Sequence, residues 1–207
     1  MPYCEPYMPE PDLQILIWHL TEEPQELLAM WGDAALPESY RPDISAKRKK
    51  EILAEGLLLR GYFGEDKTLH HYPDGRPYID GSHISISHTF AYVVIALHAT
   101  AQIGIDIESL GFKAVRAAKR FLHPDELRNL SGNGKVEAVH ICWSAKEALY
   151  KLHSIEGVDF ANDIRLAPLG DLPKGSVQAV LSYIPDKVFE VQYELFCECS
   201  LAYVVEP

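Results

Sequence analysis

The residues best equipped for chemistry in this 207-residue chain are three carboxylates and a lysine, carried by two short stretches. In Ile103-Gly-Ile-Asp-Ile-Glu108, strict alternation predicts a strand with Ile103, Ile105 and Ile107 on one face and Gly104, Asp106 and Glu108 on the other. Two carboxylates side by side repel each other unless a cation or a solvated cleft receives them. An edge strand with a wet outer face accounts for this stretch alone just as well. The second stretch, Trp143-Ser-Ala-Lys-Glu-Ala-Leu-Tyr-Lys151, has good helix formers and neither Gly nor Pro. Trp143, Glu147 and Lys151 then share one stripe at i, i+4, i+8. Glu147 and Lys151 alone read as a surface ion pair. Brought beside Asp106 and Glu108, Glu147 becomes a third oxygen ligand. Three such ligands with open positions suit Mg²⁺, which keeps waters and also binds substrate phosphates.

Gly104-Ile-Asp-Ile-Glu108, followed after a gap by Trp143-Ser-Ala-Lys-Glu-Ala-Leu-Tyr-Lys151, resembles the two signatures of the 4′-phosphopantetheinyl transferases. Two shorter signatures precede them in the same order. Asp74-Gly-Arg-Pro-Tyr78 is similar to the family's Gly-Lys-Pro segment, and Ile84-Ser-Ile-Ser-His-Thr89 to its Asn-Ile-Ser-His-Ser segment. Together the signatures cover residues 74–151, and the length points to the larger, surfactin-synthetase-activating type. The resemblance implies an α+β fold of two similar halves forming a pseudo-dimer, each half a mainly antiparallel sheet packed against helices. No repeat at the level of residues is visible. Halves of 1–101 and 102–207 place the carboxylates at the junction, where ligand sites are common.

The same resemblance implies an activity. The phosphopantetheine arm of coenzyme A moves to a serine of an apo acyl or peptidyl carrier protein, and adenosine 3′,5′-bisphosphate leaves. Asp106, Glu108 and Glu147 are implied to hold Mg²⁺; Glu147 and Lys151 are implied to be catalytic. Arg76, Ser87 and His88 match positions that hold the nucleotide of coenzyme A, and Lys146 lies within reach of its phosphates. Either Arg48 or Lys50 fits the family's early basic residue. Arg76 stands where Lys is usual and Ser85 where Asn is usual. A metal-dependent phosphohydrolase, with water replacing the carrier serine, and a non-catalytic binder of coenzyme A or carrier protein are the alternatives.

These residues need elements to position them. Residues 1–12, with Pro2, Pro6, Pro9 and Pro11, read as an extended arm. Leu13–Leu20 reads as a strand, and Thr21 opens a helix to about Trp31. Ser45 caps a helix from Ala46 to about Arg60, stopped by Gly61 and Gly64, with Ile52, Leu53, Leu57 and Leu59 as its apolar stripe. Its first turn carries Lys47, Arg48, Lys49 and Lys50, the wrong sign for a helix N-terminus, which either an anion or plain solvation explains. Residues 70–82 read as loop, with His70 and His71 in it. Strands at 84–87, 91–98 and 103–108 read as one antiparallel meander. Residues 112–122 read as helical, 125–130 as a short helix, 131–134 as a loop and 136–152 as one long helix. Strands follow at 164–167, 176–184, 188–196 and 201–205, with a hairpin turn at Pro185-Asp186.

Net charge of −11 argues against general nucleic-acid binding. With no long apolar run and no signal-peptide pattern, the expectation is a cytoplasmic monomer without a membrane span. Cys4, Cys142, Cys197 and Cys199 read as reduced thiols, spaced too widely for zinc. Within this acidic chain, residues 109–124 hold Lys113, Arg116, Lys119 and Arg120 and no Asp or Glu. Carrier proteins of the resembled family's reaction are acidic around the modified serine, so these four are candidates for partner binding. A solvated helix face is the alternative.

Overall fold

The computed structural model describes residues 7–64, 67–130 and 135–206. Pro2, Pro6, Cys4 and the loop expected at 131–134 lie outside the described residues. The chain divides into two compact units, Met1–Thr100 and Ala101–Pro207.

The first unit runs β1 (Tyr7–Glu10), β2 (Leu13–His19), α1 (Pro24–Trp31), α2 (Ala46–Phe63), β3 (His70–His71), β4 (Pro77–Tyr78), β5 (His83–His88) and β6 (Tyr92–His98). The end of the expected arm is therefore a strand: β1 pairs with β2, with Tyr7 opposite Ile15. Buried Leu16 and Trp18 of β2 pack with Leu53, Leu58 and Leu59 of α2 and with Val93 and Ile95 of β6. Ser45 caps α2, its Oγ accepting from Arg48 N at 3.2 Å. The helix continues through Gly61, where a side chain would meet open space, and ends at Gly64, whose φ of +76° few L residues adopt. The expected loop at 70–82 contains the short β3–β4 pair.

The second unit runs β7 (Gln102–Ser109), α3 (Phe112–Ala117), a 3₁₀ turn (Ala118–Arg120), α4 (Pro124–Asn129), α5 (Lys135–His153), β8 (Ile164–Leu166), β9 (Lys174–Leu181), β10 (Ile184–Phe196) and β11 (Cys199–Glu206). Its core gathers Val139, Ile141, Ala145 and Leu149 of α5 against Val177 and Ala179 of β9 and Val191 and Tyr193 of β10.

Two sheets organise the units, in the orders β1-β2-β6-β5 and β7-β11-β10-β9-β8, every pairing antiparallel. The expected meander is thus wrong at its last step. Both edges of β6 are taken, by β2 and β5, so β7 cannot join it and pairs with β11 instead. The turn between β9 and β10 falls at Ser182-Tyr183 and not at Pro185-Asp186, which sit in the register irregularity between Ile184 and Val188. A proline has no N–H for the ladder, and an irregular stretch tolerates it. The two units share a plan. In each, an early strand lies beside the last strand (β2 beside β6, β7 beside β11), helices intervene, and the last two strands form a hairpin.

Candidate functional site

Strand β7 and helix α5 touch because Gly104 has no side chain. A Cβ there would run into the carbonyl oxygen of Ala148 and lie 2.9 Å from its carbon and 3.2 Å from Leu152 N. The face of β7 that carries Gly104, Asp106 and Glu108 is therefore the face α5 covers, not a wet outer face. Asp106 is buried, and so are Ile103, Ile105 and Ile107 on the other side.

This close approach brings the α5 stripe onto the strand carboxylates. Trp143 Nε1 donates to Glu108 Oε1 at 3.1 Å. Lys151 Nζ donates to Asp106 Oδ1 at 2.8 Å and to Ile105 O at 3.2 Å, so its ion-pair partner is the strand aspartate and not Glu147 one turn back. Burial pushes the Glu147 carboxyl up to about 7; the charge of Asp106 adds to the rise, Lys151 opposes it, and Glu108 adds again. Burial and then Asp106 also raise Glu108, against the Trp143 hydrogen bond, Lys151 and His140.

The donor set is hard: three carboxylates whose mutual repulsion a small divalent cation relieves. Among the described residues, no three His, Cys, Asp or Glu side chains stand together as a ready-made metal group. Asp106 is instead held by Lys151 and Glu108 by Trp143. The chemistry of the residues fits Mg²⁺.

Residues 102–196, which contain all of these groups, match the family profile of the 4′-phosphopantetheinyl transferase superfamily. A curated relative, the 4′-phosphopantetheinyl transferase gsp of Aneurinibacillus migulanus, is 32% identical over 81 residues; the match spans 37% of this chain and about a third, 34%, of the relative.

Within these matching residues, Lys146 corrects an expectation. Expected within reach of the phosphates of coenzyme A, it is fully buried. Its ammonium meets Phe121 O at 2.9 Å, Glu126 Oε2 at 2.7 Å, Phe160 O at 2.8 Å and Ile164 O at 2.7 Å. Its protons are committed to the protein interior. Lys113, Arg116, Lys119 and Arg120 are all exposed. The stretch expected as helical over 112–122 is α3 followed by a 3₁₀ turn that starts at Ala118.

In the first unit the basic opening of α2 is balanced from within. Arg48 Nη1 lies 3.1 Å from both Glu51 Oε2 and Glu55 Oε1, and Lys47 Nζ lies 3.5 Å from Glu51. His88 Nδ1 is 3.3 Å from Glu51 Oε1. Arg48 and His88 thus meet at one carboxylate, with buried Ser87 beside His88 in β5. Lys50 stands apart, 3.9 Å from Glu23. Arg76 is held by Asp74 at 2.8 Å and lies over the Tyr72 ring. Burial pushes Glu55 up to about 7, against the nearby Arg48. Sequence reading missed Glu51 and Glu55; their i+3 and i+7 spacing from Arg48 was the available signal. No described helix is long and apolar enough to cross a membrane.

Proposed function

We propose that this chain transfers the 4′-phosphopantetheine arm of coenzyme A to a serine of an apo acyl or peptidyl carrier protein, releasing adenosine 3′,5′-bisphosphate. The observation that carries the reading is the placement of Glu147 beside Asp106, Glu108 and Lys151, in the residues that match the superfamily. A positioned carboxylate can take a proton from a hydroxyl that reacts beside it.

In this mechanism the serine oxygen attacks the phosphorus that bears the pantetheine arm, and the bond from that phosphorus to the bridging oxygen of the pyrophosphate breaks. Glu147 takes the serine proton, directly or through one water. Lys151, an ammonium already beside the carboxylates, neutralises charge on the departing bisphosphate. Asp106, Glu108 and Glu147 would hold Mg²⁺, which when bound supplies charge neutralisation at the pyrophosphate. Arg76, Ser87, His88 and one of Arg48 and Lys50 are assigned to the nucleotide; Arg keeps the charge of the usual Lys at position 76 and adds a bidentate fork. Lys146 has no part in the contact. Lys113, Arg116, Lys119 and Arg120 are assigned to the acidic carrier.

Mixing the chain with coenzyme A, Mg²⁺ and an apo acyl carrier protein, then weighing the carrier, tests the reading. A gain of one phosphopantetheine is expected. Bisphosphate release without mass gain on the carrier would assign a hydrolase, and neither product would leave a binding protein.

A further inference from the structure

The exposed basic segment between β7 and α4 is fastened to α5 at both ends, and by buried side chains. At its start, Gly111 N donates to His140 Nε2 at 3.2 Å. The other ring nitrogen, Nδ1, lies 2.8 Å from Val136 O, so one neutral tautomer serves both contacts. At its end, Phe121 O accepts from Lys146 Nζ at 2.9 Å. The Phe121 ring also stands edge-on to Trp143 at 4.7 Å, and Trp143 is the residue that binds Glu108. Between the two fastenings lie Phe112, Lys113, Arg116, Lys119 and Arg120, all exposed, with Phe112 at 74%.

Neither fastening is explained by stability alone. Lys146 is 0% exposed and His140 3%. Burying an ammonium is costly, and an apolar residue of similar size would pack there at lower cost. What the ammonium adds is direction. It ties α5 to the end of the basic segment, to Glu126 of α4, and to Phe160 O and Ile164 O. Glu126 is itself fixed, accepting from His123 N and Leu166 N at 2.8 Å each. Lys146 directly precedes Glu147 on the helix, so any movement of the fastening moves the basic segment relative to the proposed base.

We propose that His140 and Lys146 are positioning residues that hold the basic segment 112–120 in register with Glu147, and so set the KM for an acidic carrier protein and not the rate of the chemical step. The proposal rests on the transfer reading above. It adds that docking strength depends on two buried residues that touch neither coenzyme A nor carrier.

The test uses the full chain with His140→Ala, His140→Gln and the pair Lys146→Met with Glu126→Gln, which removes both buried charges together. For His140→Ala, carrier KM should rise about tenfold while kcat and the KM for coenzyme A stay within about twofold. His140→Gln keeps an acceptor for Gly111 N and should restore most of the carrier KM. The paired variant should behave as His140→Ala does. Hydrogen exchange measured by mass spectrometry gives an activity-free readout: amides of 110–121 should exchange faster in His140→Ala, with β9 and β10 unchanged. An unchanged carrier KM in a folded His140→Ala variant, or a fall in kcat at constant carrier KM, overturns the proposal, as does unchanged exchange over 110–121. If the wild type leaves the carrier unmodified, the transfer reading fails and takes the partner half of this proposal with it; exchange still decides whether the segment is fastened.

Discussion

Each unit has a glutamate whose carboxyl is pushed up to about 7, Glu55 buried and Glu147 half-buried, and the two reach that value differently. Glu55 of α2 is raised by burial, pulled down by the adjacent Arg48 and raised again by Glu51. Glu147 of α5 is raised by burial and then further by Asp106 and Glu108, with Lys151 alone opposing. The first cluster sets Glu51 and Glu55 against Lys47, Arg48 and His88. The second sets three carboxylates against one lysine. Equal pKa values therefore hide opposite needs. The α2 cluster is balanced or cationic and can accept an anion, whereas the β7–α5 cluster is short of positive charge and suits a cation.

The strongest way to break this contrast is to remove the second cluster. Glu147→Gln should lower transfer by about 10³-fold, the scale of a lost general base, and Asp106→Ala and Glu108→Ala should do comparable damage. Turnover near wild type in any of the three sinks the assignment. Glu147→Gln should also keep or raise metal-free thermal stability, since it removes repulsion; Asp106→Ala should not, because it strands Lys151.

Next in size is the basic segment. Arg116→Glu with Arg120→Glu should weaken carrier association by about tenfold or more at low salt and flatten its salt dependence, with coenzyme A affinity unchanged. Titration of the double variant at two salt concentrations checks this, and an unaltered slope leaves the segment as plain surface.

For the first cluster, His88→Ala and Arg76→Ala should each raise the KM for coenzyme A about tenfold with kcat largely kept, because both are assigned to the nucleotide and not to the reacting phosphorus. A collapse of kcat at constant KM would move them to the reacting centre.

The smallest effects separate the two glutamates directly. Both carboxyls are raised above their unfolded values, so the folded state binds the extra proton. The stability this brings is fully present below about 4.5 and is lost as pH rises through about 7. For Glu55 the loss is on the order of 3 kcal/mol. Asp106→Asn should lower the Glu147 value, whereas Arg48→Met should raise that of Glu55. Carboxyl titrations followed by NMR would show the opposite signs; shifts in the same direction would erase the distinction.

Local pattern reached a long way into this molecule. Alternation placed β5, β6 and β7 to within a residue or two, and the caps and apolar spacing located α2 and α5, because these features depend on neighbours in the chain. The stripe of Trp143, Glu147 and Lys151 was legible for the same reason. Tertiary structure decided what those faces meet. The edges of β6 were filled by β2 and β5, so β7 turned to β11. Helix α5 settled on β7 at Gly104, where its backbone leaves no room for a Cβ, and Lys151 thereby found Asp106 and not Glu147. Lys146 illustrates the limit most plainly. Its type suggested a phosphate ligand, but its environment is made by Phe121, Glu126, Phe160 and Ile164, groups brought together only when α4, α5 and β8 pack. A lysine's reach is written in its side chain; whether that reach ends in water or in four protein oxygens depends on contacts between distant parts of the chain.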